Sequence, residues 1–257
     1  MRKGKKSPDE MTFLEHLEDL RKRIFYSSIA LIIGFIPGWI FHKEIFDILS
    51  RPVTRYLPEG VKLAFTTLTA PFMLYLKISF LAAIFITSPF IFLQLWYFIA
   101  PGLYQKEKKY VIPFVLFTTV FFTLGALFGY SIVFPWACRF FLSLGKDFQP
   151  VITVDQYFSF SLRVLLGIAL VFELPTLVFF LSKMGLITSR WMIKNFKYAV
   201  LAIFIIAAII TPTPDMITQI IVAVPMIALY SLGILIAFVF GKERKARKKA
   251  SEKDLVG

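Results

Sequence analysis

The chain is poor in the residues that most often carry catalysis. Its 257 residues include one Cys and two His, at positions 16 and 42. A single Cys excludes a disulfide framework and a thiolate metal cage. Neither His opens an H-E-x-x-H motif, and there is no Walker A loop and no G-x-G-x-x-G. No metal or cofactor is therefore expected. Acidic residues are also few, 16 against 29 Lys and Arg. What is abundant is apolar: 58% of the chain is hydrophobic, 30 residues are Phe, and the mean hydropathy is +0.73. Globular domains sit near 45–50% apolar even when glycine is counted. The composition describes an integral membrane protein. In such a chain an excess of cations marks the cytoplasmic side before it suggests nucleic acid.

Six apolar segments lie near 24–41, 71–99, 111–134, 158–182, 198–212 and 216–240. Crossing roughly 30 Å of hydrocarbon takes about 20 residues in a helix. The fifth segment is short and reads as a short true span, with Thr211-Pro212-Thr213-Pro214-Asp215 as a polar turn at the membrane face. Residues 1–23 are polar and basic. Ser7, Pro8 and Glu10 form a helix start, and Phe13, Leu14, Leu17, Leu20 and Ile24 recur at helical spacing. This predicts an amphipathic helix at the interface leading into the first span. No small-x-small site follows that span, so it reads as a retained anchor.

Orientation follows from the cations. Of the 29 Lys and Arg, 21 fall in 1–23, 100–110, 183–197 and 241–257, and six fall in 42–70, 135–157 and 211–215. The bias places both termini in the cytoplasm. The organisation is thus a cytoplasmic segment 1–23, a transmembrane domain 24–240 and a basic tail 241–257, the tail suited to anionic headgroups. Lys77 and Arg163 lie inside spans, near their outer ends, where long stems can snorkel.

Glu173 is the most unusual residue. It stands in Val171-Phe172-Glu173-Leu174-Pro175 with no polar neighbour in sequence. Intramembrane charges are costly and mark function. Pro175 removes a hydrogen bond from the Val171 carbonyl, which leaves polar backbone beside the acid. The bland reading is a structural Glu bonded to a neighbouring helix. Glu107, among Lys106, Lys108 and Lys109, reads on composition alone as a solvated charge. Glu18–Lys22 and Asp19–Arg23 are i,i+4 pairs on the amino-terminal helix. Gly34 and Gly38 have G-x-x-x-G spacing, but the intervening Pro37 speaks against a dimer motif.

Four segments, in order, carry a family resemblance. His16-Leu17-Glu18-Asp19-Leu20-Arg21-Lys22-Arg23 resembles the amino-terminal signature of TatC, the multispanning subunit of the twin-arginine translocase. Ser88-Pro89-Phe90 through Leu103-Tyr104 to Glu107 resembles its second span and first cytoplasmic loop. Phe172-Glu173-Leu174-Pro175 resembles its buried-glutamate motif. Thr213-Pro214-Asp215 to Gln219, with Val224-Pro225, resembles the outer turn into its sixth span.

The resemblance implies an all-α, six-span concave bundle in a prokaryotic cytoplasmic membrane. It further implies a core receptor with no enzymatic chemistry. Such a receptor binds twin-arginine signal peptides of folded cargo, docks TatA and TatB helices, self-associates, works on the proton motive force and binds no nucleic acid. By matching position, the arginine pair falls to Asp19 and Glu107, with Arg21, Leu103 and Tyr104 in the same site. The family pattern is Glu-Leu-Arg where this chain has Asp19-Leu20-Arg21, and Glu18 beside it is the alternative acid. Glu173, Thr213, Met216 and Gln219 fall in partner-docking positions, while Pro52 and Pro175 are structural. Two rivals remain. One is a proton-coupled secondary transporter using Glu173, which lacks internal repeats. The other is an intramembrane enzyme, which lacks a nucleophile or metal set.

Overall fold

A computed structural model describes residues 13–57, 62–99, 111–145, 147–148, 151–211 and 215–240. The described chain is almost wholly helical: α1 (Phe13–Ile40), α2 (His42–Thr54), α3 (Ala70–Ile99), α4 (Val111–Phe128), a π-turn (Gly129–Val133), α5 (Phe134–Leu144), α6 (Val154–Val171), α7 (Leu174–Met184), α8 (Ser189–Lys194), α9 (Phe196–Ile210) and α10 (Met216–Phe240). Five stretches are long and apolar enough to cross a membrane: His16–Ile40, Ala70–Phe98, Val111–Leu144, Val154–Lys183 and Met216–Phe240. The fifth expected segment is the 15-residue α9. All six apolar segments are therefore helices, and the fifth is the short one.

The boundaries differ from the sequence expectation in instructive ways. The stretch from Phe13 leads into the first span without a break, the two forming the single helix α1. Its expected start at Ser7 lies outside the described residues. The third span runs on through a π-turn into α5, ten residues past its expected end. The fourth is two helices, with α6 ending at Val171 and α7 beginning at Leu174. Helices α2 and α8 were not anticipated.

The chain packs as two compact units, one of residues 1–46 and 72–120, the other of 47–71 and 121–257. The first is built on an antiparallel α1–α3 pair. Gly38 lies opposite Ser79 and Gly34 opposite Ala83 and Thr87, so closely that a Cβ at Gly38 would come 2.6 Å from the Ser79 carbonyl oxygen. Further along the same register, Arg23 meets Gln94. The G-x-x-x-G spacing thus packs helices within the chain: small residues let the backbones approach.

In the second unit the connections before α6 and around α8 are tied down. Tyr130 donates to the Ile48 carbonyl and Tyr157 to the Leu49 carbonyl, both at 2.8 Å, anchoring α2. Pro52, expected to be structural, is buried on α2. Ala64 N–H donates to Ile152 and its carbonyl accepts from Val154, a lone parallel bridge before α6. Thr153 caps α6 and Thr188 caps α8 through their hydroxyls. Gly185, at φ 80°, ends α7 with the Leu186 N–H returning to the Leu181 carbonyl. Helices α7 and α10 pack where Gly233 admits Val178.

Candidate functional site

The first candidate site sits on the polar end of the α1–α3 pair. Asp19 Oδ2 accepts from Arg23 Nε at 2.8 Å, realising one of the two expected i,i+4 pairs. Both side chains are about one-fifth exposed, so the pair is sheltered but reachable. Arg23 also donates to Gln94 Oε1 at 3.4 Å and lies 5.4 Å over the Tyr97 ring. One turn before Asp19, the His16 ring stacks on Phe98 at 4.4 Å. A single carboxylate is therefore held on the α3-facing side of α1, beside the last turns of α3. Glu18 and Lys22 stay exposed, as does Arg21. One residue is about 100° around a helix, so Glu18 and Asp19 point differently. Of the two acids left open by the sequence, Asp19 faces the end of α3. Leu103, Tyr104 and Glu107 lie outside the described residues.

The second candidate is Glu173, between α6 and α7. The ladder is interrupted at Phe172–Glu173, with Pro175, fully buried, in the first turn of α7. This is the break that a proline two residues after the acid dictates. The carboxyl lies beside the Thr176 hydroxyl and the Phe122 backbone. Glu173 Oε1 and Thr176 Oγ1 are nonetheless both buried with no hydrogen-bond partner among the described residues. Unsatisfied buried oxygens are costly and invite a donor. Thr176 was not anticipated, although its spacing of three from Glu173 would have placed it one turn on. The neighbouring wall is α4, where a Cβ at Gly125 would lie 2.8 Å from Ala169 Cα and from Phe172 Cβ.

The third candidate opens α10. Asp215 Oδ1 accepts from Thr218 N–H at 2.8 Å, and the Thr218 hydroxyl donates to Oδ2. Met216, 75% exposed, points away from the unit. Gln219 Nε2 donates to the Phe204 carbonyl of α9 at 2.8 Å, so it links two helices of its own chain and retains a second amide N–H and its Oε1. Thr213 lies outside the described residues. Glu173 follows about 28 Å of helix after Val154, whereas Gln219 is in the first turn of α10. The two lie on different helices and have different neighbours. Of the span cations, Lys77 is half-buried and Arg163 exposed. No group of three or more His, Cys, Asp or Glu among the described residues is placed to hold a metal.

Comparisons with known proteins agree with this architecture. The family model "Sec-independent protein translocase protein (TatC)" matches residues 15–225. A protein of that name from Koribacter versatilis is 44% identical over 246 residues, 94% of this chain and 91% of the relative. One from Desulforapulum autotrophicum is 42% identical over 95% of this chain and 88% of its own. Two crystal structures of a twin arginine translocase receptor, TatC, one of them in DDM, superpose with TM-scores of 0.77 and 0.79. Each is 39% identical, over 87% of this chain and 98% or 99% of theirs. The chain belongs to the TatC family.

Proposed function

We propose that this chain is the core receptor of a twin-arginine translocase in a prokaryotic cytoplasmic membrane, with both termini cytoplasmic. The asymmetry of 21 against six Lys and Arg supports that orientation. It is a transport subunit without covalent chemistry of its own. The observation that carries the reading is the Asp19 carboxylate, held by Arg23 on the side of α1 that faces the end of α3. Arg23 engages one oxygen through Nε, and a carboxylate pair of oxygens offers about four lone-pair sites. Asp19 keeps room for a second guanidinium. Glu107, eight positions after the end of α3 in the sequence, supplies the second acid, and Leu103 and Tyr104 belong to the same stretch of sequence.

Guanidinium is planar and always charged, and its fork matches a carboxylate in a way a lysine ammonium does not. Two acids on two short tethers therefore select an arginine pair over a lysine pair. With the pair held there, the apolar part of the signal lies against the membrane-facing helices. Glu173 with Thr176, and Met216 with Gln219 Oε1, offer polar contacts on two helices to single-span partners of the TatA and TatB type. Copies of this chain associate in the receptor complex, and passage of folded cargo is driven by the proton motive force.

The test is equilibrium binding of a twin-arginine signal peptide and its twin-lysine counterpart to the solubilised full chain. Hydrogen bonds to charged groups contribute about 1.5–3 kcal/mol each, or roughly 10- to 150-fold. Asp19→Ala and Glu107→Ala are each expected to weaken the arginine peptide by that factor and to erase the preference. Equal binding of both peptides by all three proteins would remove the acidic site.

A further inference from the structure

The connection between α7 and α9 has a chemistry that neither the acidic site nor Glu173 uses. From Leu174 to Pro214 the sequence contains no acid, yet Lys183, Arg190, Lys194 and Lys197 fall within it. Helix α8 carries two of them, Arg190 and Lys194, and Lys197 follows in the first turn of α9. Ser189 and Met192 turn inward and are buried, and Met192 packs with Val178 and Ala237. The Met192 carbonyl accepts from the Tyr230 hydroxyl of α10 at 3.1 Å. Both ends are capped, by Thr188 and by Asn195 Nδ2 on the Trp191 carbonyl at 2.8 Å. Six residues do not persist as a helix alone. These are fixed by their seat on α10.

The outward face is basic and aromatic. Arg190 and Lys194 are exposed one turn apart, a like-charge i,i+4 pair that repels unless an anion lies between. Lys197 is exposed too, with Nζ 5.0 Å over the Tyr198 ring. Trp191 and Tyr198 are 56% and 60% exposed. Such rings, with one wet and one apolar edge, settle at the level of lipid headgroups. We propose that α8 with Lys197 is a preformed binding surface for anionic phospholipid of the cytoplasmic leaflet. Arg190, Lys194 and Lys197 gather the headgroup, while Trp191 and Tyr198 lodge at the interface. The inference rests on the orientation proposed above.

It is tested on the full chain reconstituted in phosphatidylcholine vesicles, with a fluorophore on Ile193→Cys in a Cys138→Ala background. Quenching is compared for nitroxide-labelled phosphatidylglycerol and phosphatidylcholine of identical chains at equal mole fraction. Local enrichment of the anionic lipid is expected at about fivefold or more, the factor given by one surface cation, and is expected to fall with salt. Arg190→Gln/Lys194→Gln/Lys197→Gln should abolish it. Equal quenching by both lipids in the parent protein, or a preference that survives the triple change, overturns the inference. An impermeant maleimide applied to the unlabelled variant in oriented membrane vesicles separates the two levels. Labelling of position 193 from the outer face would refute the orientation itself. Labelling from the cytoplasmic face without lipid preference would refute only the lipid site.

Discussion

Replacing Gly38 by Ala is the sharpest test of how the α1–α3 pair is built. The added Cβ would meet the Ser79 carbonyl oxygen at 2.6 Å, with Ser79 Cα and Ala82 Cβ at 3.2 Å. Ordinary contact begins near 3.4 Å, so the helices must part locally by about 0.8 Å, the difference from 2.6 Å. The obstructing atom is backbone and cannot rotate away. Overpacking of this kind costs about 1–3 kcal/mol. For a chain of this size that lowers Tm by roughly 2–12 °C. Gly34→Ala has a different obstacle, Thr87 Cγ2 at 2.5 Å, with the next atoms at 3.3 and 3.4 Å. Thr87 is pinned because its hydroxyl donates to the Ala83 carbonyl at 2.7 Å. Removing it should relieve the clash, so Thr87→Ala is expected to rescue Gly34→Ala, while Ser79→Ala should not rescue Gly38→Ala. Gly145→Ala, whose Cβ would meet nothing nearer than 3.9 Å, is the neutral control. The assay is thermal unfolding in one detergent. A Gly38→Ala protein as stable as the parent, or additive Gly34 and Thr87 changes, would refute the packing argument.

Three further outcomes are expected. Glu18→Ala should bind the twin-arginine peptide within about twofold of the parent, because an exposed acid with no fixed partner contributes little. A loss matching that of Asp19→Ala would move the site to Glu18. Asp215→Ala removes the cap of α10 and should cost about 0.5–2 kcal/mol in the same unfolding assay, whereas Asp215→Asn should recover most of it. Gln219→Leu breaks the link to Phe204 and should cost only about 0.6 kcal/mol, the average for hydrogen bonds between membrane helices. If Gln219→Leu leaves stability unchanged but reduces recovery of a TatA-like partner in pull-down, the Gln219 amide contributes to partner binding rather than to the α9–α10 link.

What the sequence made legible, and what it hid, follows from the range of each interaction. The spans were visible because burial in lipid demands unbroken apolar runs. The Asp19–Arg23 pair was visible because helical spacing is local. Gln94 was not, since it reaches Arg23 from 71 positions away and only the α1–α3 register brings it there. The glycine spacing was discounted because of Pro37. In the fold that proline deprives the carbonyl of Ile33, an exposed residue, and leaves the face of Gly34 and Gly38 intact. Helix α2 escaped notice because 42–54 is amphipathic rather than apolar, and α8 because six residues carry too little periodicity. The link from Gln219 to Phe204 was hidden because its acceptor is a backbone carbonyl, which has no signature in side-chain sequence.

Glu173 shows how a membrane helix accommodates an acid. Two irregularities converge on it from different helices. One is the break at Phe172–Glu173, which Pro175 imposes on the fourth span. The other is the facing helix, which comes close at Gly125 and then loosens into the π-turn at Gly129, whose Cβ would meet Ile168 and Leu165 at 3.5 Å. The near approach at Gly125 brings the Phe122 backbone beside the carboxyl, and the Phe128 and Phe172 rings close over that contact at 5.4 Å. A regular α4 with a side chain at 125 would stand off by more than a hydrogen bond can span. A regular α6–α7 would bury its carbonyls in its own ladder. Together the broken ladder and the missing side chain collect polar groups around one acid, and two of those, Glu173 Oε1 and Thr176 Oγ1, remain unspent.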